Sequence, residues 1–242
     1  MFPNIEDEEE FVSRIEKICV VHQEAANVES DIIVSSSDEK TGIQALNHLK
    51  VLPMETGKNK RVESEYTRNG TTCLIASRNV ATGAINAYQL GQTRKEEDYL
   101  QHIQSIYDTD SSKKHLIICD QLNTHKSASL VEWVASICYK KIELGVKGKK
   151  GILKSQKSRM EFLENKNHQI CFLYTPKHCS WINQIENWFA VLQRKVIKHG
   201  EFPSVDELEN NIIEFISYYN SILAKPVKWL FTAEKYRCKL TI

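Results

Sequence analysis

The 242 residues, 41% hydrophobic and 26% charged with only 9 Gly and 5 Pro, can bury a full core and exclude a collagen-like or low-complexity chain. No apolar run approaches the roughly eighteen residues of a membrane span. The acidic residues 1–10 lack the basic-then-apolar pattern of a secretory signal, so the chain reads as cytoplasmic. A net charge of +1 argues nothing about nucleic acid by itself. The seven cysteines, odd in number and without a C-x-x-C pair, point to buried thiols rather than to zinc or disulfides.

In chain order, residues 11–22 set Phe11, Ile15 and Ile18 at helical spacing and predict a short amphipathic helix. Residues 31–37 are β-branched and apolar at their centre, which predicts a buried strand running into Asp38 and Glu39. Residues 50–70, polar and basic with Pro53, Gly57 and Gly70, read as an extended connection. Residues 71–76 and 83–90 flank a turn with Asn79 and Gly83 and predict a hairpin. Residues 96–107 place Leu100, Ile103 and Tyr107 on one helical face, and residues 115–119 form a short apolar strand ending at Asp120. Ser127 suits the N-cap of a helix over 128–139, with Leu130, Trp133, Val134 and Ile137 turned inward.

Residues 140–159 carry Lys140, Lys141, Lys147, Lys149, Lys150, Lys154, Lys157 and Arg159 against a single acid, Glu143. Such a stretch fits a polyanion-binding face and a solvated loop equally well. Residues 169–174 predict another buried strand, closed by Pro176. Ser180 then caps a long helix over 181–199, with Ile182, Ile185, Phe189, Leu192 and Val196 on its apolar face and Gly200 at its end. Ser204 and Glu207 make a capping box that opens a last helix to about Asn220. This order fits an α/β protein with a mixed five-stranded sheet and helices on both faces, the order of an RNase H-like core, with a different mixed α/β arrangement left open.

Asp38 and Asp120 each follow directly on a predicted strand, where ligands of open α/β sheets collect. Two carboxylates side by side need a cation between them or a shared proton, and hard oxygen donors suit Mg²⁺. Either Asp alone reads more readily as a turn former or helix cap. Glu186 lies one position past Ile185, about 100° from the apolar seam of its helix, with Asn183 and Asn187 on the same flank. By itself it is an ordinary exposed glutamate.

Four blocks together resemble the mariner-like superfamily of DDE transposases, in its bacterial insertion-sequence branch. They are D-E-K-T-G-I-Q-A-L at 38–46, D-Q-L-N-T-H-K-S at 120–127, Y-T-P-K-H at 174–178 running into S-W-I-N-Q-I-E at 180–186, and Tyr219-Asn220 with Lys225-Pro226 and Trp229. The resemblance implies an RNase H-like catalytic domain over residues 31–225, after a helical remnant or linker at 1–30 and before a tail at 226–242. It names Asp38, Asp120 and Glu186 as the catalytic and metal-binding triad. Glu39 competes with Asp38, but strand alternation sends it to the other face.

The resemblance also implies two Mg²⁺ ions, for which Mn²⁺ could substitute, and strand cleavage followed by strand transfer during transposition. Double-stranded DNA, as element ends and target, and a homodimer are the implied partners. The 140–168 stretch makes the Asp120-to-Glu186 separation about twice the usual one and reads as a basic insertion, either a DNA-contacting loop or a surface excursion. His125 and Asn123 either position DNA or a metal-bound water, or serve a structural role at a helix start. Trp181 and Trp188, seven residues apart, are expected to pack in the core. The residues before the first strand are too few and too acidic for the family's helix-turn-helix region. A degenerate fragment that binds DNA without transposing, inactive by itself, and a stand-alone RNase H-like nuclease are the competing readings.

Overall fold

The computed structural model describes residues 8–25, 30–48, 51–52, 56–57, 61–62 and 65–234. Expectations that concern residues 1–7, parts of 50–70, Cys238 and the end of the tail lie outside the described residues. The elements run α1 (Glu8–Glu24), β1 (Ile32–His48), β2 (Val51–Leu52), β3 (Arg61–Val62), β4 (Tyr66–Asn79), β5 (Ile85–Gly91), α2 (Glu96–Tyr107) and β6 (Lys114–Cys119), then α3 (Ala128–Cys138), α4 (Gln156–Leu163), β7 (Ile170–Tyr174), α5 (Gln184–Leu192) and α6 (Val205–Tyr218). Five strands form one mixed sheet in the order β5-β4-β1-β6-β7. Strands β1, β6 and β7 are parallel, while β4 and β5 pair antiparallel. The mixed five-stranded sheet expected from the element order is the one observed.

Side-chain alternation along the strands sorts the core into layers. Ile117 of β6 and Phe172 of β7 cluster with Ile103 and Ile106 of α2 and with Val131 and Val134 of α3. Leu74 and Ala76 of β4 and Ile85 of β5 cluster with Ile185, Trp188 and Phe189 of α5 and with Ile212 and Ile216 of α6. Helix α1 buries Ile15 and Ile18 against Val34, Ile118 and Ile182. Helices therefore cover both faces. Among the described residues no helix is long and apolar enough to cross a membrane. The described cysteines are all free, and Cys19, Cys119, Cys171 and Cys179 are buried, as the odd count suggested.

Three expectations are corrected. The first strand does not stop before Asp38 but continues to His48. Its second half, with Glu39, Lys40, Gly42, Ala45 and Asn47, has weak strand propensity, and the pairing of β1 with β4, from Ser35↔Asn79 to His48↔Tyr66, holds it extended. A register shift between Lys40 and Ile43, with Gly42 at φ 65°, marks a bulge that lets the later residues re-aim. Second, Ser180 does not cap a helix over 181–199. It opens a 3₁₀ turn (Ser180–Ile182), α5 starts at Gln184, and a π turn (Gln193–Ile197) follows. Trp181 consequently lies off the helix, 43% exposed and edge-on to Phe231, while Trp188 packs in the core. Third, the basic stretch carries its own structure, a 3₁₀ turn (Ile152–Lys154) and α4, whose N-cap Ser155 accepts from the Ser158 amide. Ser127 and Ser204 cap α3 and α6 as expected, through the amides of Leu130 and Glu207, but the Glu207 side chain does not return the bond that would complete the expected capping box.

Candidate active site

The strand β1 pairs with β6 only through Ile32–Ser36, because β6 ends at Cys119 and the chain turns away at Asp120. From Ser37 onward, that edge of β1 is open. Asp38 stands just past the last parallel pair while its backbone remains paired to Ala76 of β4. Asp120 follows directly on β6. The two carboxylates meet because parallel pairing ends there, and not because both strands end there.

Asn183 fills the open edge. It precedes α5 and is fully buried, yet its side chain makes no cap bond to its own helix. Its Nδ2 instead donates to the Ser37 carbonyl (2.9 Å) and to Asp38 Oδ2 (3.2 Å), and its Oδ1 accepts from the Ser36 hydroxyl. Ser36 Oγ in turn accepts from the Ile185 amide (2.9 Å), so a strand serine satisfies one of the unpaired amides at the start of α5. This exchange fixes the first turn of α5, which contains Glu186, beside Asp38. From the other side, His22 of α1 bonds the Ile182 carbonyl (3.1 Å) and Gln184 (3.1 Å). Burial lowers the His22 imidazole to about 4, so it acts there as a neutral group.

On the opposite face of β1 stands a second constellation. Glu39 points away from Asp38, as alternation predicts, and its carboxylate lies 2.9 Å from His125 Nε2. The other ring nitrogen, His125 Nδ1, lies 2.8 Å from Asp120 Oδ1 and 3.2 Å from the Asp120 carbonyl. His125 is fully buried and stacks on Tyr99 with ring centroids 4.0 Å apart. Its carbonyl accepts from the Tyr174 hydroxyl (2.8 Å). With an acceptor at each nitrogen, the ring is held as an imidazolium that donates twice. Asn123 is exposed and opens the 3₁₀ turn (Thr124–Lys126) that carries His125.

The electrostatics follow from this placement. Burial pushes the Asp38 carboxyl from its usual 3.8 to about 7, against the Glu39 amide that it accepts from, with the Asp120 and Glu39 charges adding to the rise. Burial also raises Asp120, but the hydrogen bond and charge of His125, with the Leu122 amide and Lys126, outweigh it and hold the group below its usual range. Burial opposes protonation of His125, yet Asp120, Cys119 and Glu39 lift the imidazole well above 6.5. Burial raises Glu186 as well, with Asp120 adding to the rise and Lys40 opposing it. The Asp120 charge thus acts on both Asp38 and Glu186, and burial with that charge makes these two carboxyls hold their protons more tightly.

The family described as DDE superfamily endonuclease matches residues 34–209, well over half of the chain. The chain belongs to that family. The family described as integrase core domain also matches, over residues 186–239. Among solved structures, the Mos1 mariner paired-end complex with Mn is similar over 100% of this chain and 61% of its own, at 11% identity and a TM-score of 0.50. The Mos1 transposase paired-end complex with the left transposon end matches at 12% identity and a TM-score of 0.48, over 90% and 57%. This endonuclease-family chain thus spans about three-fifths of the Mos1 chain's length, and the likeness is one of fold, an RNase H-like sheet. No curated protein matches.

In this DDE-family domain, Asp120 lies close enough to both Asp38 and Glu186 for its charge to act on each. Among the described residues, no group of three His, Cys, Asp or Glu side chains is gathered tightly enough to hold a metal ion as it stands. The donor chemistry does fit a hard divalent cation, since the set is all carboxylate oxygen and Asp38 is a buried acid facing a second acid. Sequence reasoning missed the parts played by Asn183, Ser36 and Glu39. In the sequence Asn183 is only a flanking neighbour of Glu186, and nothing in the spacing reveals a strand serine bonding a helix formed about 150 residues later.

Proposed function

We propose that this chain is the catalytic domain of a transposase, spanning about residues 31–225, that cleaves and joins strands of double-stranded DNA. The observation that carries the reading is the meeting of Asp38 and Asp120 where parallel pairing ends, with Glu186 pinned beside them through Asn183. Asp38, Asp120 and Glu186 would together hold two Mg²⁺ ions, with Mn²⁺ as substitute. The similar Mos1 complex contains Mn. When bound, such a pair activates water and neutralises charge on the scissile phosphate. Asn183 orients the Asp38 carboxylate through Oδ2, and His125 orients Asp120 through Oδ1. The freed 3′-hydroxyl would then attack target DNA. A homodimer and a cytoplasmic location belong to the same proposal.

The test is a nicking assay on duplex DNA carrying the element's ends, with and without Mg²⁺. Asp120→Asn and Glu186→Gln should each lower the metal-dependent rate by about a thousandfold or more, since each removes a ligand of the reacting centre. Unchanged rates in both variants would overturn the assignment.

A further inference from the structure

The basic stretch lies on the catalytic edge of the molecule. Strand β5 is antiparallel to β4, which is antiparallel to β1, so β5 runs in the direction of β1 and β6. Helix α2, following β5, and α3, following β6, therefore both begin at the edge that holds Asp38 and Asp120. Helix α3 then runs roughly 16 Å away from it. At the far edge the Tyr139 hydroxyl lies 2.9 Å from His168 Nε2, just before β7. From there the chain comes back. Lys147 Nζ reaches within 3.7 Å of Glu96 at the first residue of α2. Arg159, itself buried, donates through Nε to the Lys126 carbonyl (2.6 Å), one residue past His125, and through Nη1 to the Leu153 carbonyl (3.1 Å).

The returning tip is a fixed structure. Val146 and Lys150 form an isolated bridge, with the Val146 amide 2.9 Å from the Lys150 carbonyl. The Leu153 amide donates to Leu144 (3.1 Å), and the Leu153 side chain is buried in the core. Gly145 and Gly151 both have positive φ, and a Cβ there would stand 2.2 Å from the Lys150 carbonyl or 2.6 Å from that of Leu144. Lys147, Lys149, Lys150 and Lys154 project from this tip into solvent. The pairs that Lys147 and Lys150 make with Glu96 and Glu143 are exposed, at 3.7 and 3.9 Å, and such pairs contribute little and exchange readily for other anions.

We infer that this lysine tip is a binding surface for the phosphate backbone of duplex DNA, holding the substrate against the carboxylate edge. The inference rests on the proposed function and names the surface that receives the DNA. A carboxylate site repels a polyanion, and a chain of net charge +1 has no general attraction for one. Compact ammonium groups on a braced turn bind phosphates and carry no base readout.

The experiment measures affinity of the full chain for a labelled duplex by fluorescence anisotropy, without divalent metal, across a range of salt concentrations. Replacing Lys147, Lys149, Lys150 and Lys154 together by Gln should reduce the slope of log K against log salt by about 2 to 4, at about 0.9 for each phosphate no longer neutralised. A far-edge variant, Lys140→Gln with Lys141→Gln, should leave the slope unchanged. An unaltered slope in the tip variant, or an equal fall in the far-edge variant, would overturn the assignment. Thermal unfolding of the variants and Mn²⁺ binding by calorimetry should match the parent chain. Should Asp120→Asn and Glu186→Gln both nick at the parent rate while the tip variant loses slope, the catalytic reading falls and the DNA surface stands.

Discussion

Replacing Asp38 by asparagine should make the metal-free protein more stable while removing its ability to cut. The folded carboxyl is pushed from 3.8 to about 7, chiefly by burial. Between those values the folded protein holds a proton that the unfolded chain has shed, so stability falls as pH rises through that window, and the full loss applies above about 7. At about 1.4 kcal/mol per pH unit, the ionised carboxylate costs on the order of 4 kcal/mol at pH 8. Asparagine removes that charge but has one acceptor oxygen where the carboxylate accepts from both the Glu39 amide and Asn183. The missing bond offsets about 1 to 2 kcal/mol. The net gain of about 2 to 3 kcal/mol corresponds to a rise in melting temperature of about 4 to 12 °C for a chain of this size. The assay is thermal unfolding of both proteins from pH 4 to 8.5 in chelator, repeated with Mn²⁺. The gain should shrink toward pH 4, and Mn²⁺ should stabilise the parent chain more than the variant. A variant less stable than the parent at pH 8 in chelator would refute the argument.

His125→Ala should lower the melting temperature by about 6 to 20 °C, because it strands Glu39, whose side chain is only 2% exposed. Breaking a buried pair from one side costs about 3 to 5 kcal/mol; a loss under about 2 °C in a melting curve would show that the pair holds little. Asn183→Ala should weaken Mn²⁺ binding by about 10- to 100-fold in a calorimetric titration, because the group that orients Asp38 is gone. Unchanged affinity with a normal melting curve would limit Asn183 to packing.

Much of this architecture is legible in the chain itself. The apolar strands at 115–119 and 169–174, the helix from Glu96 to Tyr107 and the caps at Ser127 and Ser204 can be read because each depends on neighbours within one or two turns. Asp120 is legible for the same reason: it stands at the abrupt end of an apolar run. Glu186 is not legible from spacing at all, since a half-buried glutamate one residue off an apolar seam has no local signature, and the resemblance of its block to a family supplies it.

What the sequence determined by itself was the element order, the mixed sheet and the residue types able to hold a hard cation, because these follow from periodicity, capping and composition. Tertiary structure alone decided that β1 runs on through Asp38, since pairing with β4 overrides the weak propensity of Lys40, Gly42 and Asn47. It also decided that Asn183 serves the strand and not its own helix, and that Glu39, although facing away from Asp38, reaches Asp120 through His125. The bonds from Asn183 to β1 and from His125 to Glu39 join residues 86 to 147 positions apart. Their energy comes from satisfying buried polar groups, a requirement that exists only once the chain has closed around them.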